Sequence, residues 1–171
     1  VLNNILSLLP ETTTVAIVLG DSPAERFWVE EIRKEFAQFE NRVKFLWLNK
    51  LTLPQIRERV ATLRTGTVVL FGLYLADATG IPYDDQFPIS EIHAASSVPI
   101  FAFNASEMGH GIVGGPLIPN VAPGIAGARL ASSQLRGDSV QRISEAFTEP
   151  TTPQFDWREL QRWHIDESRL P

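Results

Sequence analysis

The sequence predicts an α/β domain, a three-layer αβα sandwich built on a mainly parallel, doubly wound five-stranded sheet. Three observations predict it. Short apolar runs rich in Val, Ile and Phe recur along the 171 residues. Stretches of helical length and period separate them, and the alternation is strict, as in strands joined by crossover helices. One domain with a sizeable core is expected at this length, and 44% hydrophobic with 20% charged residues is ordinary globular composition.

Residues 2–9 form an apolar segment (NNILSLL at its heart) expected to be a helix whose strand partner lies upstream of the sequence given. The first strand is expected over 14–19 (TVAIVL), the second over 43–48 (VKFLWL), the third over 67–73 (TVVLFGL), the fourth over 98–103 (VPIFAF) and the fifth over 111–115. Helical patterns fill 23–39, 53–63, 88–97 and 121–136. The first is the best specified: Ser22, Pro23 and Glu25 have capping-box spacing with proline at the first helical position. Val29, Ile32, Phe36 and Phe39 then recur at helical spacing and face the sheet, with Glu30 and Lys34 paired outside. In 121–136, Val121, Ile125, Ala128 and Leu135 share one side, Gly124 and Gly127 permit close approach, and Gly137 ends the helix. Residues 148–153 (TEPTTP) read as an extended linker. Asp156 and Glu159 repeat the capping pattern for a final helix that docks through Trp157, Leu160 and Trp163.

Composition excludes several classes. The formal charge is -5, with no basic stripe to neutralise a phosphate backbone, so nucleic acid is not an expected partner. Without cysteine there is no disulfide, thiolate metal site or cysteine nucleophile. The apolar runs fall well below the roughly 20 residues that span a bilayer. The chain begins at Val1 without methionine, as expected of a segment excised from a longer protein, with any signal or anchor outside it.

Candidate chemistry collects after the strands, because parallel strands open their crevice at the carboxyl ends. Gly20, Asp21 and Ser22 form the loop after the first strand, where free amides and a helix dipole favour an anion or a polar ligand group; capping alone is the alternative for Ser22 and Glu25. Arg26 suits a ligand carboxylate or, equally, an ion pair on its helix. Tyr74 and Asp77 follow the third strand. Asn104, Ser106 and Glu107 follow the fourth, with Asn104 open to ligand contact or loop structuring. Asp84 and Asp85 read as a solvated turn. His93, His110 and His164 share no ligand spacing, so no metal is expected. Gly109, Gly111, Gly114 and Gly115 match neither phosphate-binding glycine pattern, which disfavours ATP and NAD. No cofactor is expected. A response-regulator receiver fails on its specifics, since Gly20 and Asp21, then Leu73 and Tyr74, stand where it needs an acidic pair and a phosphorylatable aspartate. Ser106 with His110 lacks a G-x-S-x-G elbow and a third member, leaving a small α/β hydrolase-like enzyme using Ser106, Glu107 or His110 as an alternative.

Over nearly its whole length the chain resembles the C-terminal lobe of the ABC-transporter substrate-binding family with a type I periplasmic-binding-protein fold. The residues that carry this are LLPETTTVAIVLGDSPAERFW, SSVPIFAFNASEMGHGIVGG, the helix ending QLRGDS and the closing FDWRELQRWHIDESRLP. Within that family ERFW, VPIFAF and GIVGGPL look like the sensor regions of bacterial membrane histidine kinases. The resemblance implies a non-catalytic, extracytoplasmic lobe. A small organic solute would lie in a cleft shared with an N-terminal lobe, and closure would be transmitted to a kinase or, in a free receptor, to a permease. By position it assigns ligand contact to Asp21, Ser22, Tyr74, Asn104 and Ser106, although relatives often carry aspartate where this chain has Asn104. Phe27 and Trp28 are candidates for a patch that pairs two copies.

Overall fold

A computed structural model describes residues 1–84, 86–119, 121–136 and 153–171. Four strands make the central sheet: β1 (Thr14–Val18), β2 (Lys44–Trp47), β3 (Thr67–Phe71) and β4 (Ile100–Ala102). Their spatial order is β2-β1-β3-β4, and every pairing is parallel, with Val15 opposite both Phe45 and Val68 and Phe71 opposite Ala102. The helices are α1 (Leu2–Leu8), α2 (Pro23–Phe36), α3 (Leu53–Ala61), α4 (Phe87–Ala95), α5 (Val121–Leu135) and α6 (Trp157–Arg162).

The two-residue period of the strands sorts the core into two layers. Val15, Ile17, Leu19, Val68, Leu70 and Phe101 meet Leu2, Ile5, Leu6 and Leu8 of α1, Val29 and Phe36 of α2, and Leu160 of α6. The intervening Ala16, Val18, Val69, Phe71, Ile100 and Ala102 meet Leu53, Ile56 and Val60 of α3 and Ile89 and Ile92 of α4. Helices thus cover both faces, which is why β1 and β3 are continuous apolar runs rather than alternating ones.

The fifth strand is corrected. Residues 111–115 do not join the parallel sheet; Gly114–Gly115 (β5) pairs antiparallel with Gln154–Phe155 (β6) as a separate ribbon. The segment does touch the β4 edge on either side, with the Val113 amide donating to the Ile100 carbonyl at 2.7 Å and the Ile118 amide to the Phe103 carbonyl at 2.7 Å. Between these points Gly114 and Gly115 take φ of +114° and +137°, which breaks the pleat, and a Cβ on Gly114 would lie 2.0 Å from the Gln154 carbonyl oxygen.

Four smaller expectations also change. Lys34 pairs with Glu31 at 2.7 Å rather than with Glu30. Gly124 and Gly127 have no other described atom within 4 Å of a would-be Cβ, so they mediate no close approach among the described residues, and Ile125 and Leu135 on α5 are exposed. Asp156 caps α6 by accepting from the Arg158 amide, whereas Glu159 turns away from the cap toward His93 and Trp163. Trp157 is 63% exposed, so docking rests on buried Leu160 and half-buried Trp163. Asp85, Gly137 and nearly all of the 148–153 linker lie outside the described residues.

Candidate ligand pocket at the strand ends

The loops after β1 and β3 are stitched together. The Gly20 amide donates to the Leu73 carbonyl at 3.0 Å and the Asp21 amide to the Ala76 carbonyl at 2.8 Å. Glu25, fully buried in the first turn of α2, fastens both loops: one carboxylate oxygen accepts from the Ser22 amide at 2.8 Å and the other from the Leu75 amide at 2.5 Å. Ser22 completes the capping box by accepting from the Glu25 amide at 3.4 Å. Only glycine fits beside this latch, since a Cβ on Gly20 would lie 2.2 Å from the Glu25 carboxylate and 2.4 Å from the Ala76 carbonyl oxygen.

Asp21 is the hub of the exposed rim. Lys50 reaches it at 2.7 Å and Arg26 at 3.7 Å, with Arg26 also donating to the Asp21 carbonyl. Asp21, Ser22 and Arg26 therefore sit together in or on the latch.

Tyr74, Asn104 and Ser106 gather a short distance away. With Phe71, Gly72, Leu73 and Glu107 they line a cavity of about 230 Å³ at the ends of β3 and β4. Gly72 packs closely on the core, since a Cβ there would press on Leu19 at 3.0 Å. Asn104 opens the 3-10 turn Ala105–Glu107 without a side-chain cap bond, which leaves its amide to the cavity. Ser106 donates to the Glu107 carboxylate at 3.0 Å, and Glu107 is buried.

Tyr74 is the unusual member. It is 3% exposed, its ring packs on Phe71 and Tyr83, and its hydroxyl is buried with no hydrogen-bond partner among the described residues. Burial first, then the negative charge of Asp77 and the neighbouring Tyr83 and Glu25 side chains, pushes its ionisation far above the ordinary tyrosine value. It is a neutral donor at any physiological pH. Asp77 next to it is buried and saturated, accepting from the Thr79 amide at 2.9 Å, the Thr79 hydroxyl at 2.6 Å, the Ile81 amide at 3.2 Å and the Tyr83 hydroxyl at 3.1 Å. Burial raises the Asp77 pKa, but these hydrogen bonds outweigh it and hold the carboxyl below its ordinary value.

Two residues of this edge carry more than sequence reasoning gave them. Glu25 reads as a cap, but its second oxygen spans fifty positions to Leu75; complete burial of a charged side chain is the signal, and it is invisible in one sequence. Gly72 reads only as part of a strand.

His110 lies elsewhere. It lines a separate recess of about 290 Å³ with Ser90, His93, Gly109, Gly111, Asp156, Arg158 and Glu159. There His93 meets Glu159 at 3.0 Å and also contacts Arg162, tying α6 to α4. Ser106 and His110 thus face different cavities, and no group of three or more metal-ligating side chains forms among the described residues. Phe27 and Trp28 are exposed and packed edge to face at 5.4 Å. No described helix is long and apolar enough to cross a membrane.

No protein-family model and no curated protein matches the sequence. A solved structure does. It is a conserved domain protein from Vibrio cholerae O1 biovar eltor str. N16961, similar over 99% of this chain with a TM-score of 0.69 and 14% identity. The likeness concerns the fold, and this chain spans 56% of that one.

Proposed function

We propose that this chain is one doubly wound lobe of a non-catalytic small-molecule receptor, the input region of a sensor histidine kinase, holding its solute at the ends of β3 and β4. The observation that carries the reading is the polar cavity there, lined by Tyr74, Asn104 and Ser106, with the Tyr74 hydroxyl buried and without a hydrogen-bond partner among the described residues. Nearly all buried polar groups are satisfied in folded proteins, and an exception at a cavity calls for an explanation such as a ligand. Two further points support it. The central sheet is wholly parallel and the cavity lies at the carboxyl ends of its strands, where such sheets hold ligands. A fold match that takes up 56% of a larger chain leaves length for a second lobe. The extracytoplasmic location, the second lobe and the downstream kinase belong to the same proposal.

The test is a thermal-shift screen of small metabolites on the full chain, repeated with Asn104→Ala and Ser106→Ala. The expected result is a stabilising compound whose effect both variants weaken. Turnover of a chromogenic ester that Ser106→Ala abolishes would replace this reading with the hydrolase.

A further inference from the structure

The loop after β3 builds a second recess, apart from the cavity at the strand ends. Residues 74–84 fold back on themselves: Ala76 bridges Pro82, and the Tyr83 amide donates to the Leu75 carbonyl at 3.0 Å. Asp77, buried at the centre of the turn, accepts from the Tyr83 hydroxyl at 3.1 Å as well as from Thr79 and Ile81. The Tyr83 ring is thus held at both ends. With Pro82, Asp84 and Phe87 it lines an open recess of about 320 Å³. The Tyr83 and Phe87 rings lie within 8° of parallel with centroids 6.2 Å apart, and Phe87 is 51% exposed at the start of α4.

Aromatic faces are electron-rich and attract cations. Elsewhere the chain supplies its own: the Arg33 guanidinium lies 4.1 Å over the Trp47 ring, and that of Arg162 lies 4.9 Å over Trp163. No described cation covers Tyr83 or Phe87, and no lysine, arginine or histidine lines their recess. Asp84 stands in it, exposed, and its carboxylate has no hydrogen-bond or ion-pair partner among the described residues. By donating to the Asp77 carboxylate, the Tyr83 hydroxyl also enriches its ring in electron density. A methylated ammonium suits such a site better than a bare one, because it gives up less hydration on reaching the rings. The positive end of α4 opposes any cation, so weak, millimolar binding is the expected scale.

We infer that this recess binds the quaternary ammonium group of a small molecule, its methyls on Tyr83 and Phe87 and its charge balanced by Asp84. The site is separate from the cavity among Tyr74, Asn104 and Ser106 and does not depend on a solute there.

The experiment titrates the full chain with tetramethylammonium chloride, ammonium chloride and tert-butanol at matched ionic strength, set with sodium chloride, while amide chemical shifts are followed. Tetramethylammonium should move the amides of Tyr83, Asp84 and Phe87 along a saturable curve. It should bind about threefold or more tightly than tert-butanol, its uncharged counterpart, and than ammonium. Asp84→Asn should weaken it several-fold, and Phe87→Ala should abolish the saturable shifts. Both positions are exposed, so amides elsewhere should stay in place; were Phe87→Ala to unfold, Asp84→Asn decides. Equal affinity for tert-butanol or for ammonium, an unchanged affinity in Asp84→Asn, or shifts that sodium chloride reproduces would overturn the cation site. So would the absence of saturable shifts at these three amides, whatever the metabolite screen finds at the other cavity.

Discussion

Glu25→Gln isolates the latch that joins the loops after β1 and β3. The substitution preserves shape and replaces one carboxylate oxygen by an NH₂ group, yet both oxygens accept from backbone amides, Ser22 at 2.8 Å and Leu75 at 2.5 Å. Whichever way the amide is turned, one backbone N–H faces another donor. A hydrogen bond to a charged group is worth about 1.5–3 kcal/mol, and a buried donor left unsatisfied costs about 1–3 kcal/mol more. Glu25 is fully buried, so water cannot repair the loss. We expect a destabilisation of about 3 kcal/mol, or a fall in Tm of roughly 6–12 °C at about 2–4 °C per kcal/mol for a chain of this size. Urea unfolding with an unchanged m value measures the first quantity, and hydrogen exchange at Leu75 locates it. A loss under about 1 kcal/mol, with Leu75 still protected, would refute the view that one carboxylate joins the two loops.

Three further outcomes follow from the same geometry. Tyr74→Phe removes a hydroxyl that has no partner among the described residues while retaining the ring contacts, so Tm should hold or rise by about 2–4 °C, the return of about 1 kcal/mol; a clear fall in a thermal melt would show that the hydroxyl is bonded. The Asp77 pKa is lower folded than unfolded, so its contribution is present above the ordinary value of 3.8 and is lost as pH falls through the folded value. Urea melts should therefore show the unaltered chain losing stability on acidification below about pH 3.8 more steeply than Asp77→Asn, and parallel pH profiles would contradict this. Gly114→Ala, at φ +114° and facing the Gln154 carbonyl, should open the β5 to β6 ribbon at a cost of about 2 kcal/mol, seen as faster proteolysis of the C-terminal segment; unchanged proteolysis would remove the ribbon's role.

The sequence made the parallel sheet legible because β1 and β3 are buried on both faces, so continuous runs such as TVAIV and TVVLF have few other uses. Ser22 likewise announces its helix through local capping spacing, and the box forms; the second box, Thr52 with Gln55, was not read from the sequence. What was hidden depends on contacts distant along the chain. The run at 111–115 resembles a strand until Gln154 and Phe155 pair with it, and Glu159 resembles a cap until His93 and Trp163 claim its oxygens. The same holds at the cavity. Position after a strand suffices to group Tyr74, Asn104 and Ser106, but the pairing of Asp21 with Lys50, 29 residues away, has no local signal. Burial of Tyr74, Asp77 and Glu25 is a tertiary property that no local pattern encodes.

The most direct measurement is a crystal structure of the full chain grown with the compound that gives the largest thermal shift. The account predicts density in the cavity at the ends of β3 and β4, within hydrogen-bond reach of Asn104 and Ser106 and with an oxygen on the Tyr74 hydroxyl. A compound seated instead in the recess between His93 and His110, with the first cavity unchanged, would contradict it.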